Sequence, residues 1–242
     1  MKKEKYNTQN TGIKTKLAFY DGRKLWMESV PLIIFLILIV VAMIYYPKIP
    51  NTIPIHWNAS GQADGFGGRN SIFIIPIIFF VILVLFFILP LMEVFRDNMM
   101  KIYNYYYAFK ITFSIFFAVL FLVTLFSTLG YAINVSRVVI AMIGLLFIAL
   151  GIILPKLKRN FMFGIRTGWT LSSDAVWDKT HKIGGILFAV LGIVVIILLF
   201  VLKLETLFWV FLALIILISL FLVFYSYYLY EKLLKHDKST KK

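Results

Sequence analysis

The sequence predicts an all-α integral membrane protein, a bundle of six transmembrane helices with both termini in the cytoplasm. Of the 242 residues, 61% are hydrophobic and 15% are charged, whereas a soluble domain is about 45–50% apolar and about 25% charged. A helix needs about 20 apolar residues to cross the hydrocarbon core of a bilayer. Six segments meet that requirement, and they are 29–46, 71–91, 111–132, 137–154, 183–202 and 207–229.

The distribution of lysine and arginine predicts the orientation. Of the 25 basic residues, all but Lys48, Arg69, Arg137 and Lys203 fall in four alternating segments, 1–28, 92–110, 155–182 and 230–242. Cytoplasmic loops carry the excess of positive charge in membrane proteins, so these four segments are predicted to be cytoplasmic. The net charge is +14, but the apolar runs leave little soluble surface for direct binding of nucleic acid. The chain has no cysteine, which excludes disulfides and thiol catalysis.

The spans divide the chain into five parts. A basic cytoplasmic tail (1–28) precedes two transmembrane helices (29–91), whose outer loop is 47–70. A cytoplasmic segment and the third helix follow (92–136), then a three-helix unit (137–229) with the inner loop 155–182, and a basic cytoplasmic tail (230–242). Within the three-helix unit, glycines seven residues apart predict close helix packing. These are Gly144 with Gly151 and Gly185 with Gly192.

The outer loop combines three prolines, which favour extended backbone, with four glycines, which permit turns. Between them lies a polar and aromatic cluster: His56, Trp57, Asn58, Gly61 and Asp64. One interpretation is an ordered hairpin with Trp57 at the membrane interface. A second is a recognition surface for a ligand that arrives from outside. His56 and Asp64 are too few for a metal site, which needs three or four ligands, so no metal or other cofactor is predicted.

The inner loop has an irregular part, Asn160–Thr170, and a helical part. Ser172 or Ser173 is predicted to cap a helix whose residues Asp174, Trp177, Asp178 and His181 share one face. Lys182 follows Asp178 by four residues and is placed to pair with it. Three interpretations stay open here: a structural cap on the bundle that includes Arg166 and Trp169, a docking surface for a soluble partner, and a catalytic site. Catalysis is disfavoured because no nucleophile or metal ligand set is evident, so the chain is not predicted to be an enzyme.

Two motifs resemble a known family. The inner loop reads N-F-M-F-G-I-R-T-G-W-T-L-S-S-D-A-V-W-D-K-T-H-K-I-G-G from Asn160 to Gly185, and it resembles the signature of the SdpI family of bacterial multi-pass membrane proteins. The run I-P-x-H-W-N-x-x-G-x-x-D from Ile53 to Asp64 is similar to a short domain of unknown function that is often found N-terminal to that signature. The basic tail is not part of the resemblance.

The resemblance implies a protein of the bacterial cell membrane that protects its host from a secreted antimicrobial peptide, such as the sporulation-delaying killing peptide. It also implies that a cytoplasmic transcriptional repressor is held at the membrane in response to that signal. The partners would thus be the lipid bilayer, the peptide and the repressor. By resemblance, the residues at stake in the inner loop are Asn160, Gly164, Arg166, Thr167, Trp169, Thr170, Trp177, Thr180 and His181, and Asp174 joins them on the shared helix face.

A passive transporter or flippase-like protein is the alternative function. Ion-coupled transporters keep ionisable groups inside the membrane, and the six predicted spans contain none in their central parts. The sequence therefore favours a sensor or receptor over an ion-coupled pump.

Overall fold

The computed structural model describes the backbone of residues 22–240 and the side chains of 26–95 and 97–235. Most of the predicted tail 1–28 and the last two residues therefore lie outside the described residues. The described chain forms seven α-helices and a two-stranded sheet. The helices are α1 (Gly22–Tyr45), α2 (Ile74–Ile88), α3 (Arg96–Thr128), α4 (Val135–Ile153), α5 (Gly168–Ser172), α6 (Asp174–Leu198) and α7 (Leu204–Thr240), and the strands are β1 (Thr52–Trp57) and β2 (Ala63–Gly68).

The predicted bundle of six membrane-spanning helices is confirmed. Among the described residues, six helices are long and apolar enough to cross a membrane, namely all but the short α5. Two of them extend further than the hydropathy pattern predicts. The third helix begins at Arg96 rather than near 111, and α7 continues to Thr240. The extension of α3 is stabilised by burial, because its Tyr103 and Tyr106 are only 2% and 3% exposed.

The connections between helices lie at two ends of the bundle. At one end, which we call the hairpin side, the turn of the β-hairpin at Gly61 adjoins Ser136 at the start of α4 and Leu204 at the start of α7. At the other end, the motif side, the connection 89–95 meets the segment 157–173, since the Phe161 N–H donates to the Glu93 carboxylate at 2.9 Å. We call the segment 157–173 the motif loop.

Glycines bring α4 and α6 into close contact, as the sequence predicts. A Cβ on Gly151 would lie 2.6 Å from the Gly185 carbonyl oxygen, and a Cβ on Gly185 would lie 2.7 Å from the Gly151 carbonyl oxygen. Only residues without a side chain allow two helix backbones to approach so closely. This contact fixes the position of α6, which carries the helical part of the inner loop.

Two clusters of buried side chains stabilise the bundle. The hairpin-side cluster joins α1, α2 and α3 to the hairpin, and its members include Leu38, Ile53, Phe79 and Phe121. The motif-side cluster joins α3 to α4 and α6 through Met99, Ile102, Tyr103, Tyr106, Ile153, Leu154, Leu157 and Trp177. Each candidate loop thus rests on a packed set of apolar side chains.

Candidate functional site

Asn160 shapes the start of the motif loop. It is fully buried, and its side-chain oxygen accepts hydrogen bonds from the N–H groups of Met162 and Phe163 at 2.9 and 2.6 Å. Its side-chain nitrogen donates to the carbonyls of Lys158 and Phe163 at 2.8 and 3.0 Å. The single amide therefore supplies the backbone groups of an irregular segment with the partners that a helix or sheet would otherwise provide.

His181 connects the motif loop to α6. Its Nε2 accepts a hydrogen bond from the Ile165 N–H at 2.9 Å, and its Nδ1 lies 2.9 Å from the Trp177 carbonyl oxygen, to which it donates. This pattern identifies the neutral ring with its proton on Nδ1. The ring stacks on Trp177 with centroids 4.0 Å apart, and the Trp177 indole donates to the Leu157 carbonyl at 3.0 Å. Both residues are buried and hold the loop against the bundle.

Gly164 lies where the loop approaches His181 most closely. Its φ is +125°, a value that disfavours any side chain, and an added Cβ would overlap the His181 ring and lie 3.2 Å from Trp177. Both the positive φ and the lack of space for a Cβ therefore favour glycine at this position.

The C-terminal half of the motif loop is anchored by threonines. Thr167 caps α5 by accepting from the Thr170 N–H at 3.1 Å, and the Thr170 hydroxyl donates to the Ile165 carbonyl at 2.9 Å. The hydroxyl groups of Thr167 and Ser226 of α7 are hydrogen-bonded at 3.1 Å. The rings of Trp169 and Tyr227 pack together with their centroids 5.2 Å apart. The sequence did not predict α5. It did predict a serine cap on the next helix, and Ser173 is that cap.

The predicted common face of Asp174, Trp177, Asp178 and His181 is divided in the structure. The two aromatic rings are buried, whereas the side chains of Asp174 and Asp178 are 71% and 57% exposed. The Asp174 carboxylate forms an ion pair with Arg159 at 2.9 Å. The Asp178 carboxylate pairs with Lys158 at 4.0 Å and not with Lys182, which the sequence predicted. The structure thus brings the ring residues together and leaves the acids facing outward.

Arg166 lies on the exposed surface of the motif loop. Its guanidinium donates a hydrogen bond to the Phe161 carbonyl. Arg166, Asp174 and Asp178 are all exposed, so the segment 166–178 presents both signs of charge to its surroundings. Such a surface is typical of a polar docking face more than of a buried catalytic centre.

Sequence reasoning missed Glu93, which joins the α2–α3 connection to the motif loop. Its side chain is fully buried and accepts from the N–H groups of Phe95 and Phe161 at 2.8 and 2.9 Å. The Phe95 and Phe161 rings stack with centroids 5.2 Å apart. The guanidinium of Arg159 lies over the Phe95 ring, 4.9 Å from its centroid. The local signal was weak, because a lone acid after a proline turn also occurs on ordinary exposed loops.

An ion pair inside the bundle corrects the expectation of a membrane domain without internal charge. Lys110 of α3 pairs with Glu28 of α1, and their side chains are 1% and 14% exposed. Tyr103 donates to the same carboxylate at 2.8 Å, and the Lys110 ammonium lies 5.0 Å from the Tyr106 ring centroid. The two predicted spans begin one residue after Glu28 and one residue after Lys110, so neither charged residue lies inside a predicted span.

The outer loop forms an ordered hairpin. β1 and β2 are antiparallel, with Thr52 opposite Gly68 and Trp57 opposite Ala63. His56 and Asp64 pair across the strands at 2.5 Å, with side chains 70% and 44% exposed. The Asn58 side chain accepts from the Gln62 N–H at 3.0 Å and closes the turn, in which Gly61 has a φ of +83°.

An open cavity of about 600 Å³ lies beside the hairpin and is lined by β1, α2, α3, α4 and the start of α7. Its walls are mainly apolar, with Ile78, Val139 and Phe208 from three of the helices. Three hydroxyl residues, Ser71, Thr124 and Ser136, are among the lining residues, and the hydroxyl of Thr124 is itself buried, with no hydrogen-bond partner among the described residues. A ligand pocket is typically apolar with a few polar groups of this kind.

In the described part of the chain, no three histidine, cysteine, aspartate or glutamate side chains come close enough together to hold a metal ion.

We expect the substitution Gly164→Ala to destabilise the motif loop. Strained backbone costs about 1–3 kcal/mol, and the added methyl group would also displace the His181 ring from the Ile165 N–H. The fluorescence of Trp177 should change, and limited proteolysis in detergent should cut the segment 157–173 faster. Gly168→Ala is the control, because a Cβ there meets no atom within 4 Å. Equal proteolysis of the two variants would contradict the role assigned to Gly164.

Comparison with known proteins agrees with both motifs. Residues 156–226 match the family model of the SdpI/YfhL protein family, and residues 33–80 match a domain of unknown function, DUF1648. The immunity protein SdpI of Bacillus subtilis (strain 168) is 24% identical over 171 residues, which cover 71% of this chain and 80% of the relative. No solved structure gives a significant match. The resemblance inferred from the motifs is therefore confirmed: the segment that matches the SdpI/YfhL family model follows the segment that matches DUF1648.

Proposed function

We propose that this protein is an immunity protein of the bacterial cell membrane, which protects its host from a secreted antimicrobial peptide. The observation that carries the proposal is the similarity to the immunity protein SdpI over 71% of this chain, together with the two family-model matches, which include both motifs. The six apolar helices and the cavity beside the hairpin are consistent with a receptor for a ligand that reaches the membrane.

In this proposal the hairpin side faces outward and the motif side faces the cytoplasm. The asymmetry of lysine and arginine supports that orientation, because the hairpin and the connections beside it carry only Lys48, Arg69, Arg137 and Lys203. The peptide would then meet the hairpin first, where Trp57 and the pair of His56 with Asp64 lie at the edge of the cavity.

The motif loop is the proposed docking surface for a cytoplasmic repressor. Its inner half, around Asn160 and Gly164, is held by hydrogen bonds to the Asn160 side chain and to His181 of α6, whereas Arg166 of the loop and the adjoining Asp174 of α6 are exposed. A rigid loop with exposed charged groups can bind a protein partner with little loss of conformational entropy. The two roles are therefore assigned to opposite ends of one bundle.

A survival assay tests the proposal. A bacterium sensitive to the sporulation-delaying peptide would express the wild type, Arg166→Ala or an empty vector, with equal membrane abundance of the two proteins. We expect the wild type to protect. We expect Arg166→Ala to remain abundant, because the side chain is exposed. We expect its affinity for a repressor that docks at this arginine to fall by about tenfold or more.

Lys158→Ala is the matched control, since Lys158 is an exposed cation of the same loop. No protection by an abundant wild-type protein would contradict immunity against this peptide. Protection by the wild type and Arg166→Ala alike, together with equal recruitment of a fluorescently tagged cytoplasmic repressor, would remove Arg166 from the docking surface.

A further inference from the structure

A second open pocket, of about 470 Å³, lies on the hairpin side at the base of the hairpin. It is lined by Tyr46, Asn51, Gly68, Arg69, Asn70 and Ser71. Of the two apolar spans beside it, one ends at Lys48 and the other begins at Arg69. The pocket therefore lies at the depth where lipid headgroups meet water. It shares only Ser71 with the larger apolar cavity.

The guanidinium of Arg69 is held in place at this pocket. Its Nη2 donates to the side-chain oxygen of Asn51 at 2.9 Å, and it lies 5.6 Å from the centroid of the Tyr46 ring. The backbone N–H of Arg69 donates to the Asn51 carbonyl at 3.0 Å. The ion pairs among the described side chains do not include Arg69. Its positive charge is thus fixed in position and is not neutralised by a carboxylate of the described chain.

The polar groups around this charge are arranged to donate hydrogen bonds. The side-chain oxygen of Asn51 accepts from Arg69, and that of Asn70 accepts from the Tyr46 hydroxyl. An amide whose oxygen is engaged in this way presents its NH₂ group to a ligand. The Nη1 of Arg69 and the hydroxyl of Ser71 are neither buried nor hydrogen-bonded among the described residues. The lining residues include no acid.

A positively charged pocket rich in donors selects an anion with several acceptor oxygens. The planar guanidinium matches a phosphate group, to which it can donate two parallel hydrogen bonds. At headgroup depth, phosphate is the anion that every phospholipid carries. These properties favour a phosphate ester over a neutral ligand or a cation.

A neighbouring apolar groove favours a lipid as the source of the phosphate. The groove has a volume of about 210 Å³ and is lined by Met43, Tyr46 and Phe73. Met43 lies one helical turn deeper in its span than Tyr46, and the rings of Tyr46 and Phe73 pack with centroids 5.8 Å apart. Tyr46 therefore has a polar pocket on its water side and an apolar groove on its bilayer side, which is the arrangement that an amphiphile requires.

We propose that this pocket binds the phosphate group of a phospholipid in the leaflet on the hairpin side, with an acyl chain in the groove of Met43 and Phe73. Arg69 supplies the charge, and the surrounding amide and hydroxyl groups supply further hydrogen bonds. Asn51 directly precedes β1, and Arg69 directly follows β2. The bound lipid would thus hold the base of the hairpin at the membrane surface. This site is independent of the proposed immunity function.

Native mass spectrometry of the full chain, delipidated in a non-ionic detergent, tests the proposal. The probes are phosphatidylglycerol, diacylglycerol with the same acyl chains, and inorganic phosphate. We expect the first phosphatidylglycerol to bind at least about tenfold more tightly than diacylglycerol, which lacks the phosphate. We expect an equal concentration of inorganic phosphate to leave this lipid bound, because the free ion has no chain to occupy the groove.

The substitution Arg69→Gln assigns the binding to this pocket. We expect its affinity for phosphatidylglycerol to fall by about tenfold or more, because the charge and the paired donors are lost. Arg137→Gln is the matched control, since Arg137 is an exposed cation of the hairpin side that does not line the pocket. We expect this control to bind within about twofold of the wild type.

The substitution Asn70→Asp tests the sign of the charge with almost no change in shape. It keeps an acceptor for the Tyr46 hydroxyl but places a carboxylate beside the phosphate, so we expect a loss of about tenfold or more in affinity. Asn134→Asp is its control. Asn134 caps α4 on the same side of the bundle, and aspartate serves equally well as a cap.

Three outcomes would contradict the inference. Equal affinity of the wild type for phosphatidylglycerol and diacylglycerol would overturn the phosphate site, even if a variant failed to fold. A loss in Arg137→Gln as large as that in Arg69→Gln would overturn the assignment to this pocket. Displacement of the lipid by an equal concentration of inorganic phosphate would overturn the phospholipid as the ligand and leave a soluble phosphate in its place.

Discussion

Gly151→Val is expected to separate α4 from α6 and to lower the stability of the whole bundle. A Cβ at Gly151 would lie 2.6 Å from the Gly185 carbonyl oxygen and 2.6 Å from both the nitrogen and the Cβ of Ala189. These neighbours include helix backbone, which cannot rotate away. Overpacking costs about 1–3 kcal/mol and occasionally more, and we expect valine to reach about 3 kcal/mol because it adds two further methyl groups.

Thermal unfolding in detergent would measure this effect. A chain of this size loses about 2–4 °C in Tm for each kcal/mol, so the Tm should fall by roughly 6–12 °C. Gly151→Ala should give an intermediate loss, although alanine is the better helix former by about 1 kcal/mol. Ile193→Phe is the control, since it adds volume to α6 at a position 49% exposed. An unchanged Tm in Gly151→Val would show that the helices can separate at no cost.

Lys110→Met is expected to have the largest effect on stability, because it leaves the Glu28 carboxylate without its cation. Breaking a buried ion pair by removing one partner costs about 3–5 kcal/mol, and both side chains are largely buried. The double variant Glu28→Gln/Lys110→Met should recover most of the loss, because neither remaining side chain carries a charge. The difference between the double variant and the sum of the single variants measures the coupling.

The matched control is the exposed pair of Lys158 with Asp178, in which the side chains are 54% and 57% exposed and 4.0 Å apart. Lys158→Met should cost less than about 1 kcal/mol. If Lys110→Met were as mild as Lys158→Met, the buried pair would have no structural role. If the double variant were as unstable as Lys110→Met, packing rather than charge would explain the loss.

The sequence was sufficient for features that depend on local pattern. The six apolar spans were confirmed, as were the serine cap of α6 at Ser173 and the close approach of α4 and α6 at Gly151 and Gly185. Each depends on a rule that acts over a few turns of helix. The extension of α3 back to Arg96 was missed because hydropathy treats tyrosine, asparagine and lysine as polar, whereas Tyr103 and Tyr106 are buried by tertiary packing.

The candidate site was predictable only in part. The motif identified Asn160, Gly164 and His181, but not their hydrogen bonds, and helical spacing could not show that Trp177 and His181 turn inward while Asp174 turns outward. The pairing of Glu28 with Lys110 and the bond of Glu93 to Phe161 join residues distant in sequence. Such contacts depend on which helices are neighbours, and no pattern within one segment contains that information.

Through the Glu93 contact, α2 connects the hairpin side of the bundle to the motif loop. The continuous span from Arg69 to Met92 begins directly after the hairpin and ends at the residue before Glu93, and Ile74, Ile75 and Ile78 near its start line the cavity. At 1.5 Å per residue the span is about 35 Å long, so a tilt of about 5° around one end moves the other by about 3 Å. Because Glu93 holds the Phe161 N–H, a tilt of α2 at the cavity would be passed directly to the motif loop.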